Sequence, residues 1–360
     1  MNKRVDTSNT ADQASLHDAF SALLQGNFPE QHQAHLPHFS ASIDDQFDAD
    51  KFAVAFICDD SIDDDLYPLP YDTIPAALKT LCQGANFINS DSYDYNGRKY
   101  ALCHLTMPDY WLNDPNKAGA RLINEAYRAL TAMGAKSTAH MIRISLGNNV
   151  SENAHIAALL HSIDTAAIEL NFPAAVDGLA LKFDCPQLKI DIFAVGLYDQ
   201  DTQPLTNIFA DEDHHIYILG REHGHLGLSA FIHDLHGSTA GDLASIDLER
   251  EAQLSAFINA AHQKGYLTAA RGISMGGIGL ALADMALGAN IGASVGGIGN
   301  ASFWYGEDQA RYVVTIETPQ MAKFEVLAMD HGISLLEIGN TEEDRLSFNN
   351  QKIALDALND

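Results

Sequence analysis

The sequence predicts an α+β protein built from two lobes. Strand-like apolar runs and amphipathic helix patterns are mixed in both halves, each half contains a helix start of the type Asp–Pro or Thr–Pro, and 360 residues are enough for two domains. We expect an N-terminal tail with a short helix and a linker over 1–49, an N-terminal lobe over 50–185, a C-terminal lobe over 186–341 and a polar tail over 342–360.

The N-terminal lobe is predicted from apolar runs and helix signals in turn. Asp114-Pro115 is the sharpest signal, because Asp caps free N–H groups and Pro suits the first helical position. The helix that follows should cover 115–133 and end at Gly134. The other helix predictions are 16–24, 71–83 and 153–171, and the strand predictions are 51–58, 98–106 and 137–146.

The C-terminal lobe shows the same mixture. Strands are predicted at 188–197, 215–219 and 310–317, and helices at 245–265, 279–287 and 319–331. Thr318-Pro319 starts the last helix, whose buried face is predicted to be Phe324, Leu327, Ala328 and Met329.

The charge balance limits the partners. Lys plus Arg number 21 and Asp plus Glu number 48, which gives a net charge of −27. Such a chain repels phosphate backbones and anionic lipid, so we expect neither nucleic acid nor a membrane as partner. The polar N-terminus has no apolar signal region, and a cytoplasmic protein is predicted. Four dispersed cysteines form no CxxC pair.

Two clusters invite a metal hypothesis. The segment 214–236 is rich in histidine, and the aspartates of 59–65 are close in sequence. Neither has the spacing of a known helix-borne or EF-hand site, so solvated loops are favoured and no metal is predicted.

Glycines at 276–279 precede a predicted helix, where free N–H groups can hold a phosphate. Close packing of a buried helix explains them equally well, and both readings stay open. Arg311 lies in an apolar strand and would need a partner if buried; Glu307, four residues earlier, is the acid considered for that role. Glu125 has Arg128 as its neighbour.

Three segments together resemble one family. They are DPNKAG at 114–119 with NEAYRALTAMGA at 124–135, GGIGLALADMAL at 276–287, and YGEDQARYVV at 305–314. Each resembles a stretch of phosphoribosylformylglycinamidine synthase, the ATP-dependent amidotransferase component of purine synthesis, and they occur in that family's order. The likeness covers roughly 50–340 and is to the second of the family's two tandem repeats.

The resemblance implies an aminoimidazole ribonucleotide synthetase-like fold. In that fold the sheet of an N-terminal α+β lobe pairs with a partner lobe, and a C-terminal α+β lobe follows. Two repeats make one functional unit, so a single repeat implies a partner: a second copy in a homodimer, or a separate catalytic half.

The same resemblance implies a degenerate ATP site. The family's Mg²⁺-binding acids and neighbouring His fall at about Leu105, Ile142, Arg271-Gly272 and Met275, and its Ser-Gly-Asn reads Val176-Asp177-Gly178. Apolar side chains offer Mg²⁺ no oxygen ligand. The residues left for a nucleotide or phosphate are Gly276, Gly277, Arg271, Gly227 and Ser229. The acids that would serve an active site are Glu125, Asp114 and Glu307, with Asp60, Asp109 and Asp177.

Three hypotheses follow. The first is a non-catalytic homologue that binds a partner chain. The second is an active ATP-dependent ligase, which alone needs ATP and Mg²⁺ as cofactors. The third is a small-molecule binding protein that keeps a cleft between its lobes.

Overall fold

Two mixed sheets with helices packed on them make up the described part of the chain. The computed structural model describes residues 73–84, 88–95, 97–147, 155–185, 188–199, 202–297, 300–342 and 344–358. The predictions for 1–49, for the strand at 51–58 and for the acidic turn at 59–65 lie outside the described residues.

The helices and strands alternate through both halves. The helices are α1 Ile74–Gly84, α2 Pro115–Ala132, α3 Ile156–Glu169, α4 Leu248–Gln263, α5 Gly277–Ala289, α6 Ala301–Tyr305 and α7 Met321–Asp330. The strands are β1 Asn89–Tyr95, β2 Arg98–Thr106, β3 Lys136–Gly147, β4 Ala174–Cys185, β5 Lys189–Leu197, β6 His215–Leu219, β7 Ala269–Gly272, β8 Gly292–Val295, β9 Tyr312–Ile316, β10 Leu335–Glu342, β11 Arg345–Phe348 and β12 Gln351–Ala354. Short 3-10 turns cover Asp109–Asn113, Thr318–Gln320 and Leu355–Leu358, and a π-helical turn covers Phe231–Leu235.

The first sheet has the order β1-β2-β5-β3-β4. All its pairs are antiparallel except β3 with β4. Alternate residues of the central strands, such as Cys103, Ile144 and Ile190, join the core beneath α2 and α3. The opposite face carries a small apolar group of its own, Met141, Phe193 and Val195.

The second sheet has the order β12-β11-β8-β10-β6-β9-β7. One core lies between this sheet, α1 and α5, and another between the sheet, α4 and α7. Helix α5 buries nine of its thirteen residues, so it is apolar nearly all round as a core helix should be. Within the described residues, no helix has the length and apolarity needed to cross a bilayer.

Helix α2 connects the two halves, and its predicted bounds are confirmed to within one residue. Pro115 occupies its first turn as expected, but Asp114 makes no side-chain cap. Its carboxylate instead accepts the N–H of Leu243 at 3.3 Å and lies 3.5 Å from the Lys117 ammonium group. The predicted capping role was therefore wrong, since a partner distant in sequence takes the carboxylate.

Three other expectations need correction. Strand β5, predicted to open the second lobe, lies between β2 and β3 of the first sheet, so the change of sheet falls between Leu197 and His215 rather than near 186. The predicted polar tail instead supplies β11 and β12 to the second sheet, because Leu346 and Phe348 are buried there. Met329 is 73 % exposed, so it does not belong to the buried face of α7.

Candidate functional site

Two turns that the sequence analysis singled out come together beside α2. Gly276 and Gly277 have φ of +72° and +64°, a conformation that favours glycine, and they lead from β7 into α5. A Cβ on Gly277 would lie 2.7 Å from the Trp304 carbonyl oxygen. The second turn contains Gly227 and Ser229, whose hydroxyl donates to the Leu226 carbonyl at 2.6 Å.

The carboxylate of Glu307 lies between these turns. Its Oε1 accepts the N–H of Gly276 at 2.8 Å and the N–H of Ala230 at 2.7 Å. Its Oε2 accepts Nη2 of Arg121 at 2.6 Å. The residue is fully buried. Burial raises the pKa of Glu307, while the charge of Arg121 and the two backbone N–H groups oppose that rise.

Helix α2 positions Arg121 for this contact. The guanidinium lies 4.2 Å from the centre of the Trp111 ring, a cation–π distance, and its Nε is 3.5 Å from Glu125. We refer to the N–H groups of Gly276 and Ala230, together with Arg121, as the oxyanion cradle.

A second buried charge network lies farther along α2. Arg128 donates to Glu251 of α4 from Nε at 3.1 Å and from Nη2 at 2.9 Å, and to the Ile273 carbonyl at 2.6 Å. Tyr312 donates its hydroxyl to Glu251 at 2.8 Å. Burial alone would lower the pKa of Arg128, but Glu251 and Glu125 outweigh it, so the pKa is raised. Because these charges are compensated within the protein, the network is better suited to holding α2 against α4 than to transferring protons.

Arg271, which the sequence suggested as a phosphate-binding residue beside Gly276 and Gly277, is not part of the oxyanion cradle. It forms an ion pair with Asp284 of α5, and its Nη1 is 3.5 Å from the Asn207 carbonyl oxygen. Burial lowers its pKa to about 10. Arg121, which the sequence analysis did not select, makes the contact instead.

The positions expected to carry Mg²⁺ ligands are apolar and packed. Leu105 and Ile142 are 2 % and 3 % exposed, and both are register partners of Ile192, so the three form a row across the sheet beneath α2. A Cβ at Gly272 would lie 2.6 Å from the side chain of Arg128. Met275 is packed against two cores.

The candidate acids are only partly brought together. Glu125 and Glu307 share the Arg121 environment. Asp114 and the exposed Asp109 stand outside it. Asp60 lies outside the described residues, and Asp177 is placed only as part of β4.

The histidines of 214–236 are distributed among separate partners. His225 contacts the Asp242 carbonyl oxygen at 2.9 Å, and His215 contacts Glu337 at 2.8 Å. Among the residues that the structure describes, no group of three or more His, Cys, Asp or Glu side chains has a geometry suited to a metal.

A further polar group lies on the outer face of the first sheet. Asp191 is fully buried and accepts hydrogen bonds from Thr106 at 2.7 Å and Arg143 at 2.9 Å, with His104 at 3.3 Å. Burial would raise the pKa of Asp191, but these partners hold it well below its usual range.

Comparison with known proteins gives a consistent result. A family model described as AIR synthase related protein, N-terminal domain, matches 92–198. The phosphoribosylformylglycinamidine synthase subunit PurL of Azorhizobium caulinodans is 31 % identical over 271 residues, covering 72 % of this chain and 37 % of that protein. PurL of Zymomonas mobilis is 32 % identical over 267 residues, covering 70 % and 36 %.

These matches support a PurL/AIR synthase-like family for this chain. It spans a little over a third of the length of these PurL relatives.

Solved structures support the fold. PurL of Thermotoga maritima complexed with ATP has a TM-score of 0.60 at 16 % identity, covering 76 % of this chain and 46 % of that one. A Thermus thermophilus protein, tt0281, has a TM-score of 0.56 at 16 % identity, covering 73 % and 90 %. The predicted α+β fold is thus confirmed, and the sequence relatives agree with the predicted family resemblance.

The sequence carried one signal for Arg121, which was missed. It lies four residues before Glu125 and seven before Arg128, on the inward side of an amphipathic helix where charged residues are unusual. Glu251 lies in the first turn of α4, where an acid is ordinary, so nothing local distinguished it.

Proposed function

We propose that this chain is a PurL-like module that binds a partner lobe and does not turn over ATP. The observation that carries the proposal is the row formed by Leu105, Ile192 and Ile142, which places apolar side chains where the family resemblance expects Mg²⁺-binding acids. A carboxylate in place of Leu105 or Ile142 would be buried in the core without a partner, at considerable cost in free energy. The compensated Arg121–Glu307 pair supports the same conclusion.

The outer face of the first sheet is the surface proposed for the partner. Met141, Phe193 and Val195 are buried there, and the apolar side chains that stay partly accessible are their neighbours Tyr100, Leu102 and Ala139. Arg143 and Lys189 flank Asp191 on the same face. An apolar centre with a charged rim is the usual composition of a protein interface. One solved relative is the PurLQS complex of Thermotoga maritima, in which PurL has partners.

The proposed partner is a second copy of this chain or a separate catalytic half of the synthase, and the interface should bury well over ~1,000 Å². Sedimentation at micromolar concentration, alone and with a catalytic PurL half, tests this. Leu102→Glu should abolish the association. Ile168→Glu, at a 79 % exposed position on α3, is the matched control and should not. A monomer that captures neither partner contradicts the proposal.

Calorimetry with ATP and Mg²⁺ separates this proposal from the alternatives. No binding is expected for a partner-binding module; binding with hydrolysis would favour an active amidine-forming ligase, for which Glu125, Asp114 and Glu307 are the acids to test. As part of the same proposal, the protein works in the cytoplasm, which cell fractionation checks.

One observation favours small-molecule binding as the second candidate. A cleft of about 340 Å³ lies between α2, α4 and the first sheet, with Lys136, Ser137, Asp199 and Asn259 among its lining residues. Its size suits a small polar ligand. Metal-independent binding of such a ligand, lost in Asn259→Trp, would support this candidate.

A further inference from the structure

Three donors converge on one carboxylate at the junction of α2, α5 and the turn before Phe231. The N–H groups of Gly276 and Ala230 lie 2.8 Å and 2.7 Å from Oε1 of Glu307, and Nη2 of Arg121 lies 2.6 Å from Oε2. Glu307 comes from a different segment, next to α6. The tertiary fold, and not one local turn, therefore brings the donors and the carboxylate together.

Arg121 provides an independent indication of an anion at this place. It is fully buried, and its Nε and Nη1 find no hydrogen-bond partner among the described residues. A buried guanidinium with unmet donors requires an anion nearby. Ser274, in the same turn as Gly276, also has a buried hydroxyl without a partner in the described part of the chain.

We propose that the oxyanion cradle is a binding site for one carboxylate or phosphate group, and that Glu307 is its resident ligand. Glu307 occupies the helix N-terminus that a phosphate would otherwise approach. Its carboxylate alone therefore closes the oxyanion cradle to nucleotide phosphates, whether or not Mg²⁺-binding acids are present. The inference deepens the proposed function: anion binding by the cradle is tested independently, and only its link to the absence of ATP turnover rests on that proposal.

The alternative is an ordinary buried ion pair in which only the charge of Glu307 matters. The two differ in what happens when the side chain is shortened. Glu307→Ala removes four non-hydrogen atoms, the same four that make up acetate. If the cradle is an anion site, free acetate should enter it.

The experiment is urea unfolding of Glu307→Ala in 0 and 100 mM sodium acetate, with sodium chloride at matched ionic strength. For a dissociation constant of about 10 mM, acetate should lower the unfolding equilibrium constant about tenfold. Glu307→Gln fills the cradle, so it and the unchanged protein should show less than a twofold effect. An equal response in all three proteins, or none in Glu307→Ala, overturns the proposal.

Glu307→Ala that folds only in acetate would support the proposal. Should it fold under neither condition, hydrogen exchange of Glu307→Gln decides. A neutral amide holds N–H groups more weakly than a carboxylate, so peptides containing Ala230 and Gly276 should both exchange at least ~10-fold faster, with α7 unchanged. Unchanged exchange at both overturns the inference. ATP turnover by the unchanged protein would contradict the proposed function but leave these readouts standing.

Discussion

Replacing Glu251 by alanine unbalances the buried charges that join α2 to α4. Glu251 is fully buried and accepts from Arg128 at 2.9 Å, Asn124 at 3.1 Å and Tyr312 at 2.8 Å. Alanine would leave the guanidinium, the amide and the hydroxyl without this acceptor in the interior.

The magnitude follows from those contacts. Removing one partner of a buried ion pair costs about 3–5 kcal/mol. Arg128 keeps the Ile273 carbonyl and Gln309 as acceptors, which places its share near the lower end. The Tyr312 hydroxyl left without an acceptor adds about 1 kcal/mol. We therefore expect the free energy of unfolding to fall by about 4 kcal/mol in Glu251→Ala, and by roughly half of that in Glu251→Gln, which keeps an acceptor oxygen.

Equilibrium urea unfolding followed by tryptophan fluorescence measures this change. Trp111 and Trp304 are both fully buried, one in the core of the first sheet and the other in a core of the second, so each half reports. The control is Glu249→Ala, at an exposed position two residues earlier on the same helix. It should stay within about 0.5 kcal/mol of the unchanged protein. A difference of less than 1 kcal/mol between the two alanine variants would refute the argument.

Three further outcomes are expected. Burial lowers the pKa of His140 to about 4 from 6.5, so the neutral imidazole contributes fully to the free energy of unfolding above pH 6.5. That contribution, about 3 kcal/mol, is lost as pH falls towards 4. The free energy of unfolding should therefore differ less between pH 7 and pH 4.5 in His140→Gln than in the unchanged protein, and an equal difference argues against this reasoning. Gly277→Ala should destabilise by more than Gly237→Ala, since both have positive φ but only Gly277 meets backbone atoms, and equal melting temperatures would contradict this. His140→Gln itself should destabilise at pH 7 because the Phe172 carbonyl contact at 3.0 Å is disturbed, as urea midpoints will report.

Local patterns predicted the long elements well. Strand β2 at Arg98–Thr106 and strand β6 at His215–Leu219 have the predicted bounds, and α2 differs by one residue. In each, a single feature was decisive: a continuous or alternating apolar run, or the proline in the first turn. The four-residue strands β11 and β12 were missed because so short a segment has little periodicity to read.

Contacts between residues far apart in the sequence could not be predicted from local patterns. The sequence placed Glu307 beside Arg311, four residues away, but the structure pairs it with Arg121, 186 residues away. Arg311 turns instead to the Gly306 carbonyl oxygen at 2.6 Å. The same limit explains β5, whose apolar run predicts a strand but says nothing about which sheet receives it. Gly276 of the oxyanion cradle was among the residues selected from the sequence, whereas Arg121, the cation that contacts Glu307, could not be identified from local spacing.

The central claim is that this PurL-like chain does not turn over ATP. Steady-state ATP hydrolysis with Mg²⁺ tests it most directly, with and without formylglycinamide ribonucleotide and with glutamine or ammonia as nitrogen source. A full-length PurL serves as the positive control. The account predicts no hydrolysis above the buffer blank under any of these conditions. Substrate-stimulated turnover that is abolished by Glu307→Ala would contradict it and establish an active ligase.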